Sequence, residues 1–361
     1  MGRSTRRVKL GHGMRWLLVC AAFLGASIGA PAIAQAPAQP LFASEELLKL
    51  RIEAPFDELL RGASIAPKPF DARLTIQGPT PESFAIRLSA RGVSRRNPAT
   101  CEFPPLRIEF VQPPDAASLF AGQKELKLAT HCRTTGGFQN YNLLEFAAYR
   151  LLNILTPVSF KVRQAQIDYV EARTGSLRTQ HLGFLVEDLD ALAARNGLKE
   201  FKTEKIERAQ LDAGAAARSD LFQYMIGNQD WSDRWPTAGK HCCHNIKLLG
   251  PGSSAENLVP VAYDFDSSGF VNAPYALPPS GMPIATVRTR NYRGLCLFNP
   301  QAIEAARLML EKRAELLDSV SGTPFLGDRS KQSARRYLEE FFAEIADAGQ
   351  LKRHILDQCR N

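Results

Sequence analysis

The sequence predicts an α+β fold in two lobes: a β-rich N-terminal lobe holding one long helix, followed by a mainly helical C-terminal lobe. Three observations carry this. Runs of alternating apolar and polar residues fill residues 46 to 130, the apolar spacing turns helical after Gly136-Gly137, and beyond Glu187 the periodic segments are mostly helical. Period-2 alternation marks strands buried on one face, and recurrence at i, i+3 and i+4 marks an amphipathic helix.

Before the folded part, residues 1–15 hold Arg3, Arg6, Arg7, Lys9 and Arg15 and no acid. The apolar run Trp16–Ile28 follows, 13 residues long, and small residues lie at Ala32-Ile33-Ala34. A helix needs ~20 apolar residues to cross a bilayer, so the run is too short, and residues 1–34 read as a secretory leader cleaved after Ala34. Thr5-Arg6-Arg7 resembles part of a twin-arginine signal, but Lys9 stands where that signal prefers an apolar residue, which favours ordinary export. The mature chain is therefore expected outside the cytoplasm, periplasmic or extracellular, with no transmembrane segment.

Residues 35–45, opening with the Ala/Pro/Gln-rich stretch Gln35–Pro40, read as a linker. In the lobe at 46–187, Leu48, Leu50 and Ile52 alternate with Lys49, Arg51 and Glu53, and ARLTIQ, FAIRLSA and LRIEFV repeat the pattern between turn-forming clusters, as an antiparallel sheet requires. Leu143, Leu144, Ala147, Ala148, Leu151 and Leu155 then predict a helix over Asn140–Leu155, followed by strands in FKVRQAQIDYVE and HLGFLVE. In the lobe at 188–361, helical spacing covers Asp190–Asn196, Ala215–Gly227, Pro300–Val320 and Lys331–Cys359.

The formal charge of +8 drops to +3 once the five basic residues of the leader are gone. So small a charge on 327 residues gives no electrostatic case for nucleic-acid binding. Six cysteines remain, Cys101, Cys132, Cys242, Cys243, Cys296 and Cys359. An even number in an exported chain predicts two or three disulfides, with Cys242 or Cys243 reaching Cys296 or Cys101.

The densest polar constellation lies between residues 228 and 272. Asp230 follows a helical run, Asn245 opens the strand-like IKLL, and Asp264 and Asp266 follow the apolar VPVAY. An Asp, then an Asn, then an Asp after a short strand is the order used to position an attacking hydroxyl and to hold divalent cations on ATP phosphates. Such hard oxygen ligands suit Mg²⁺. Upstream, Lys127 sits on an alternating strand and Glu145 on the next helix, the arrangement in which a glutamate orients a phosphate-binding lysine.

The order FAIRLSARGVSRR, PPLRIEF, NLLEFAAYRLLNIL, HLGFLVEDLD, GNQDWS, HNIKLL and VAYDFDSSGF, over residues 84 to 272, resembles the CotH-like atypical kinases. The resemblance implies a two-lobed protein-kinase-like fold and phosphoryl transfer from ATP, with Mg²⁺ or Mn²⁺, to a Ser or Thr hydroxyl of a protein. It implies Asp230 as the catalytic aspartate, Asn245, Asp264 and Asp266 at the metal, Lys127 and Glu145 as the phosphate-orienting pair, and backbone at Leu185, Val186 and Glu187 facing the adenine. Between Asp230 and Asn245 lie 14 residues, longer than the family's spacing, and no glycine-rich loop precedes Lys127.

Other readings compete. His241-Cys242-Cys243-His244 contains zinc-ligand types, yet four adjacent residues wrap a tetrahedral ion poorly and no CxxC pair supports them. Arg288, Arg290 and Arg293 read as a phosphate-facing cluster or as a paired surface, and Trp231 and Trp235 as pocket walls or as packing. The alternative function is a kinase-shaped binding or assembly module without turnover; a glycan-binding β-domain under a helical cap is a third.

Overall fold

The computed structural model describes Gly2 and residues 39–135, 137–233, 242–252 and 254–361. The predicted leader and cleavage site, Trp235 and His241 lie outside the described residues. Residues Gln35–Asn361 form one compact unit.

The alternating runs become strands. β1 (Leu48–Ala54), β2 (Phe70–Ile76), β3 (Glu82–Ala90), β4 (Leu106–Phe110) and β5 (Glu125–Ala129) are joined, beyond the long helix, by β6 (Val162–Glu171) and β7 (Leu177–Val186). Together they close into a barrel in the order β1-β2-β3-β4-β5-β7-β6. The expected two-lobed, kinase-like plan is thus corrected: the β-rich part is a closed seven-stranded barrel rather than an open sheet forming one lobe. The physical reason is the seam, where β1 pairs in parallel with β6 from Leu48↔Ala165 to Ala54↔Glu171. Alternation tells which face of a strand is buried but not which distant strand it pairs with.

Leu50, Ile52, Leu74, Leu88, Ile108, Leu126, Leu128, Ile167 and Leu185 fill the barrel. Packing is tight where β7 crosses β5, and Gly183 makes that approach possible. A Cβ there would meet the Ala129 carbonyl at 2.6 Å and Ile167 Cδ1 at 3.1 Å.

A short helix α1 (Phe56–Gly62) follows β1, and the long helix α2 (Phe138–Leu155) lies outside the barrel. Its predicted apolar face is buried, as are Asn142 and Glu145. Gly137 starts it in the left-handed region at φ 75°, and Pro157 follows its C-cap Thr156. α2 shares its core with Ala129, Phe184 and Val186 on the outer face of the barrel and with the helices that follow.

Those helices are α3 (Leu189–Arg195), α4 (Ala213–Met225), α5 (Asn299–Glu311), α6 (Arg313–Ser321), α7 (Asp328–Glu344) and α8 (Ala348–His354). The predicted run Pro300–Val320 is interrupted at Lys312. Asp188, Asp212 and Asp347 cap α3, α4 and α8 by accepting from backbone N–H groups. A second sheet pairs β8 (Lys199–Glu200), β9 (Ile246–Gly250) and β10 (Val259–Ala262) in the order β10-β9-β8. Among the described residues, no helix is long and apolar enough to cross a membrane.

The disulfides are Cys101–Cys132, Cys242–Cys243 and Cys296–Cys359. This corrects the expected pairing of Cys242 or Cys243 with Cys296 or Cys101. Main-chain bridges Phe103↔Cys132 and Leu295↔Arg360 already bring the other two pairs together.

Gly183→Ala is expected to destabilise the protein by about 1–3 kcal/mol, because the added methyl has backbone on one side and packed side chains on the other. A denaturant midpoint unchanged from wild type would show that β7 can shift to admit it.

Candidate active site

Three segments far apart in the chain meet where α2 crosses the outer face of the barrel. Arg95, in a short turn of 3-10 helix after β3, is the junction. Its Nη1 lies 3.2 Å from Glu145 Oε2 on α2. Its Nη2 donates to Asp264 Oδ1 at 2.8 Å, and its Nε lies 3.1 Å from Asp266 Oδ2. One guanidinium thus serves three carboxylates, and the Arg95 side chain is only 9% exposed.

The charges shape one another. Burial alone would lower the Arg95 pKa, but Asp266, Glu145 and Asp264 together hold it well above its ordinary value. Burial pushes the Glu145 carboxyl up to about 8; Arg95 opposes the push and the nearby Asp266 and Asp264 reinforce it. Burial likewise pushes Asp266 up to about 6, against the pull of Arg95. Glu145 thus keeps its proton at neutral pH, which reduces the negative charge that Arg95 has to neutralise.

Asp264 adopts a left-handed φ of 65° directly after β10, and its backbone N–H donates to the Tyr149 hydroxyl at 2.9 Å. This bond ties the aspartate's loop to α2, four residues past Glu145. With Arg91, Arg95, Lys127, Ala129, Phe160, Val186 and Tyr263, the residues Glu145, Tyr149 and Asp264 line a narrow cavity of about 20 Å³.

Beside the cluster, Asp230 sits in a loop anchored from several directions. Its N–H donates to Asn228 Oδ1 at 3.1 Å, and Arg293 Nη1 donates to the carbonyls of Gln229 and Trp231, each at 2.8 Å. Asn245 Nδ2 donates to the Asp230 carbonyl at 2.7 Å and to its Oδ2 at 3.2 Å. His244 Nε2 lies 2.6 Å from Asp230 Oδ1. Tyr263 N–H donates to the Asn245 carbonyl at 3.1 Å, which connects this loop to Asp264 through β9 and β10.

Of the residues singled out in the sequence, Lys127, Glu145, Val186 and Asp264 share the cavity wall, with Asp266 beside it through Arg95. Asp230 and Asn245 contact each other directly. Lys127 and Glu145 make no ion pair, since the Glu145 carboxylate is turned to Arg95. Leu185 points into the barrel interior. Glu187 is buried, its N–H donates to the Lys161 carbonyl at 2.9 Å, and its carboxylate accepts from Arg195 and from the Lys161 N–H. With that N–H occupied, Glu187 offers a base only its carbonyl oxygen.

Sequence reasoning missed Arg95, Arg91 and the His244–Asp230 contact. A buried arginine carries no periodic signal, and His244 read as a zinc-ligand type. Among the described residues, no group of three or more His, Cys, Asp or Glu converges as a metal site, and Cys242 and Cys243 are bonded to each other. The expected arginine cluster is absorbed into structure. Arg288 and Arg290 lie over the Tyr337 ring, and Arg290 also donates to the Met225 carbonyl at 3.3 Å. Trp231 packs under Arg293 and donates its indole N–H to the Asn228 carbonyl.

No protein-family model matches the chain, and neither does any curated protein. Among solved structures, the crystal structure of the Helicobacter pylori proinflammatory kinase CtkA is similar to it with a TM-score of 0.36 at 10% identity, covering 78% of this chain and 90% of that one. The chain is thus distantly similar to a kinase, and the CotH-like resemblance rests on motif order alone. An overlap this loose carries no argument about fold or chemistry, so the site is read from its own geometry.

A carboxyl that holds its proton more tightly in the folded than in the unfolded state adds stability that is lost as pH rises from its unfolded to its folded value. Glu145, unfolded near 4.5 and folded at about 8, is such a group. His131, buried and held neutral down to about pH 3, acts in the opposite sense, but only below about pH 6.5. Wild-type stability, measured by chemical denaturation, is therefore expected to fall between pH 6.5 and 8, and Glu145→Gln to flatten that fall. Parallel curves for the two proteins would refute the assignment.

Proposed function

We propose that this protein is an exported phosphotransferase that moves a phosphoryl group from ATP or another nucleotide to a serine or threonine hydroxyl of a protein, with Mg²⁺ or Mn²⁺. The observation that carries the proposal is the convergence on one cavity of a lysine from β5, a glutamate from α2 and an aspartate following β10, with a second, hydrogen-bonded aspartate alongside. Phosphoryl transfer requires little covalent chemistry of the protein. It requires positioned charge of both signs and a base for the attacking hydroxyl.

In this reading Asp230 is the base. Its side chain is 45% exposed, open enough to meet a protein hydroxyl, while Asn245 and His244 fix its orientation. Lys127 faces the donor phosphates. In this reading a divalent cation would be held by the carboxylate oxygens of Asp264 and Asp266 that Arg95 leaves open, with Asn245 offering an amide oxygen. Mg²⁺ prefers a few carboxylates with water and phosphate oxygens completing its shell. When bound, the cation would neutralise charge on the phosphate oxygens. The three disulfides support an oxidising, extracytoplasmic setting, in keeping with the leader read in residues 1–34.

One observation favours a second reading, a binding or assembly module without turnover. Arg95 engages Glu145, Asp264 and Asp266 at once, which satisfies those carboxylates without any cation.

Thermal unfolding separates the two. Ligand at ~100 times its dissociation constant adds about 2.7 kcal/mol, a shift of a few degrees. With ATP and Mn²⁺, the wild type is expected to shift and Asp264→Asn to shift little. Asp230→Asn should keep the shift while phosphorylation of added protein substrates falls by roughly 10²–10⁴. A wild type indifferent to every nucleotide would select the second reading.

A further inference from the structure

The opposite wall of the cavity carries positive charge that forms no ion pair among the described residues. Lys127, on the outer face of β5, lies 5.7 Å from the Phe160 ring centroid and 6.0 Å from that of Tyr263. Neither it nor Arg91 makes an ion pair among the described residues, and both line the cavity. Arg91 directly follows the last residue of β3, and its N–H is fixed by the Pro105 carbonyl at 2.8 Å. β3 and β5 flank β4 in the barrel, and the two cations stand at the same end of these strands with β4 between them.

They also interact. Burial lowers the Lys127 ammonium to about 8, and Arg91 pushes it the same way, with Asp188 and Glu125 opposing more weakly. Two like charges in a partly buried recess repel each other and lose hydration. The Phe160 and Tyr263 ring faces offset this only in part, the carboxylates that act on Lys127, Asp188 and Glu125, do so more weakly than Arg91, and Glu145 and Asp264 are engaged by Arg95. The recess is therefore built for an anion that enters from outside.

We infer that Arg91 and Lys127 together bind the phosphate chain of the donor, the guanidinium taking two oxygens side by side and the ammonium acting as a point charge. This rests on the phosphotransferase reading and adds Arg91 to it. Fork-shaped guanidinium contacts suit phosphate oxygens, and charge-assisted bonds of this kind are about twice as strong as neutral ones. The phosphates would then lie between these cations on one side and Asp264 on the other.

The test is the thermal unfolding of the purified protein with inorganic tripolyphosphate, in chelator and without divalent cations, and separately with ATP and Mn²⁺. Wild type, Arg91→Gln, Arg91→Lys and Lys127→Gln are compared after their ligand-free midpoints are confirmed to match. Tripolyphosphate is expected to raise the wild-type midpoint, and Arg91→Gln to need at least ~10-fold more of it for half the shift, equivalent to about 1.4 kcal/mol. Arg91→Lys should recover part of the loss. A larger shift with ATP than with tripolyphosphate identifies a nucleotide as the donor, and equal shifts identify a free polyphosphate; both uphold the pair. If Arg91→Gln binds both ligands as wild type does while Lys127→Gln loses them, the role of Arg91 is overturned and the donor site stands on Lys127 alone. If the wild type responds to neither ligand, the pair and the phosphotransferase reading fall together.

Discussion

The whole site depends on one guanidinium. Arg95 is drawn out of water against its hydration, and Glu145 on α2 together with Asp264 and Asp266 in the loop after β10 compensate it. A buried charge without a partner is among the most destabilising features a fold can carry, and removing one member of a buried ion pair typically costs about 3–5 kcal/mol. The loop after β3, helix α2 and the loop after β10 are therefore held in one relative position. Tyr149 adds a neutral bond between the last two, donated by the Asp264 N–H.

The remaining charges divide along the cavity. Arg91 and Lys127 stand on the barrel side, and the carboxylates gather around Arg95 on the α2 side. Closing the barrel makes this possible, since the β1–β6 seam fixes the curvature that sets β5, β7 and β6 side by side beneath α2. A ligand carrying both phosphate oxygens and a divalent cation complements such a divided field, whereas a neutral or purely cationic ligand does not. Burial above all, reinforced by the like charges beside each group, explains why Glu145 and Asp266 resist ionisation while Lys127 gives up its proton easily.

Much of this was legible in the sequence because it rests on local periodicity. The alternation of Leu48, Leu50 and Ile52 located β1, and the spacing of Leu143, Ala147 and Leu151 located α2 almost to its ends. The order of Asp230, Asn245 and Asp264 singled out two residues that hydrogen-bond to each other and one that lines the cavity. Barrel closure was not legible, because parallel pairing of β1 with β6 joins strands with nearly the whole barrel between them in sequence. Arg95 was not legible either, since RGVSRR reads as a solvated basic loop until three distant acids are folded around it. The disulfides were misassigned for the same reason: main-chain bridges, invisible in spacing, decide which cysteines meet.

The most direct test of the account is labelling with an acyl-phosphate derivative of ATP, which transfers its acyl group to a lysine beside the bound phosphates. Lys127, whose ammonium is lowered to about 8, has the free amine such a reaction needs. Peptide mapping should place the label on Lys127, with excess ATP and Mn²⁺ protecting it. Label spread over surface lysines, or label on Lys127 that ATP does not prevent, would contradict the claim that this cavity holds the phosphates of a phosphoryl donor.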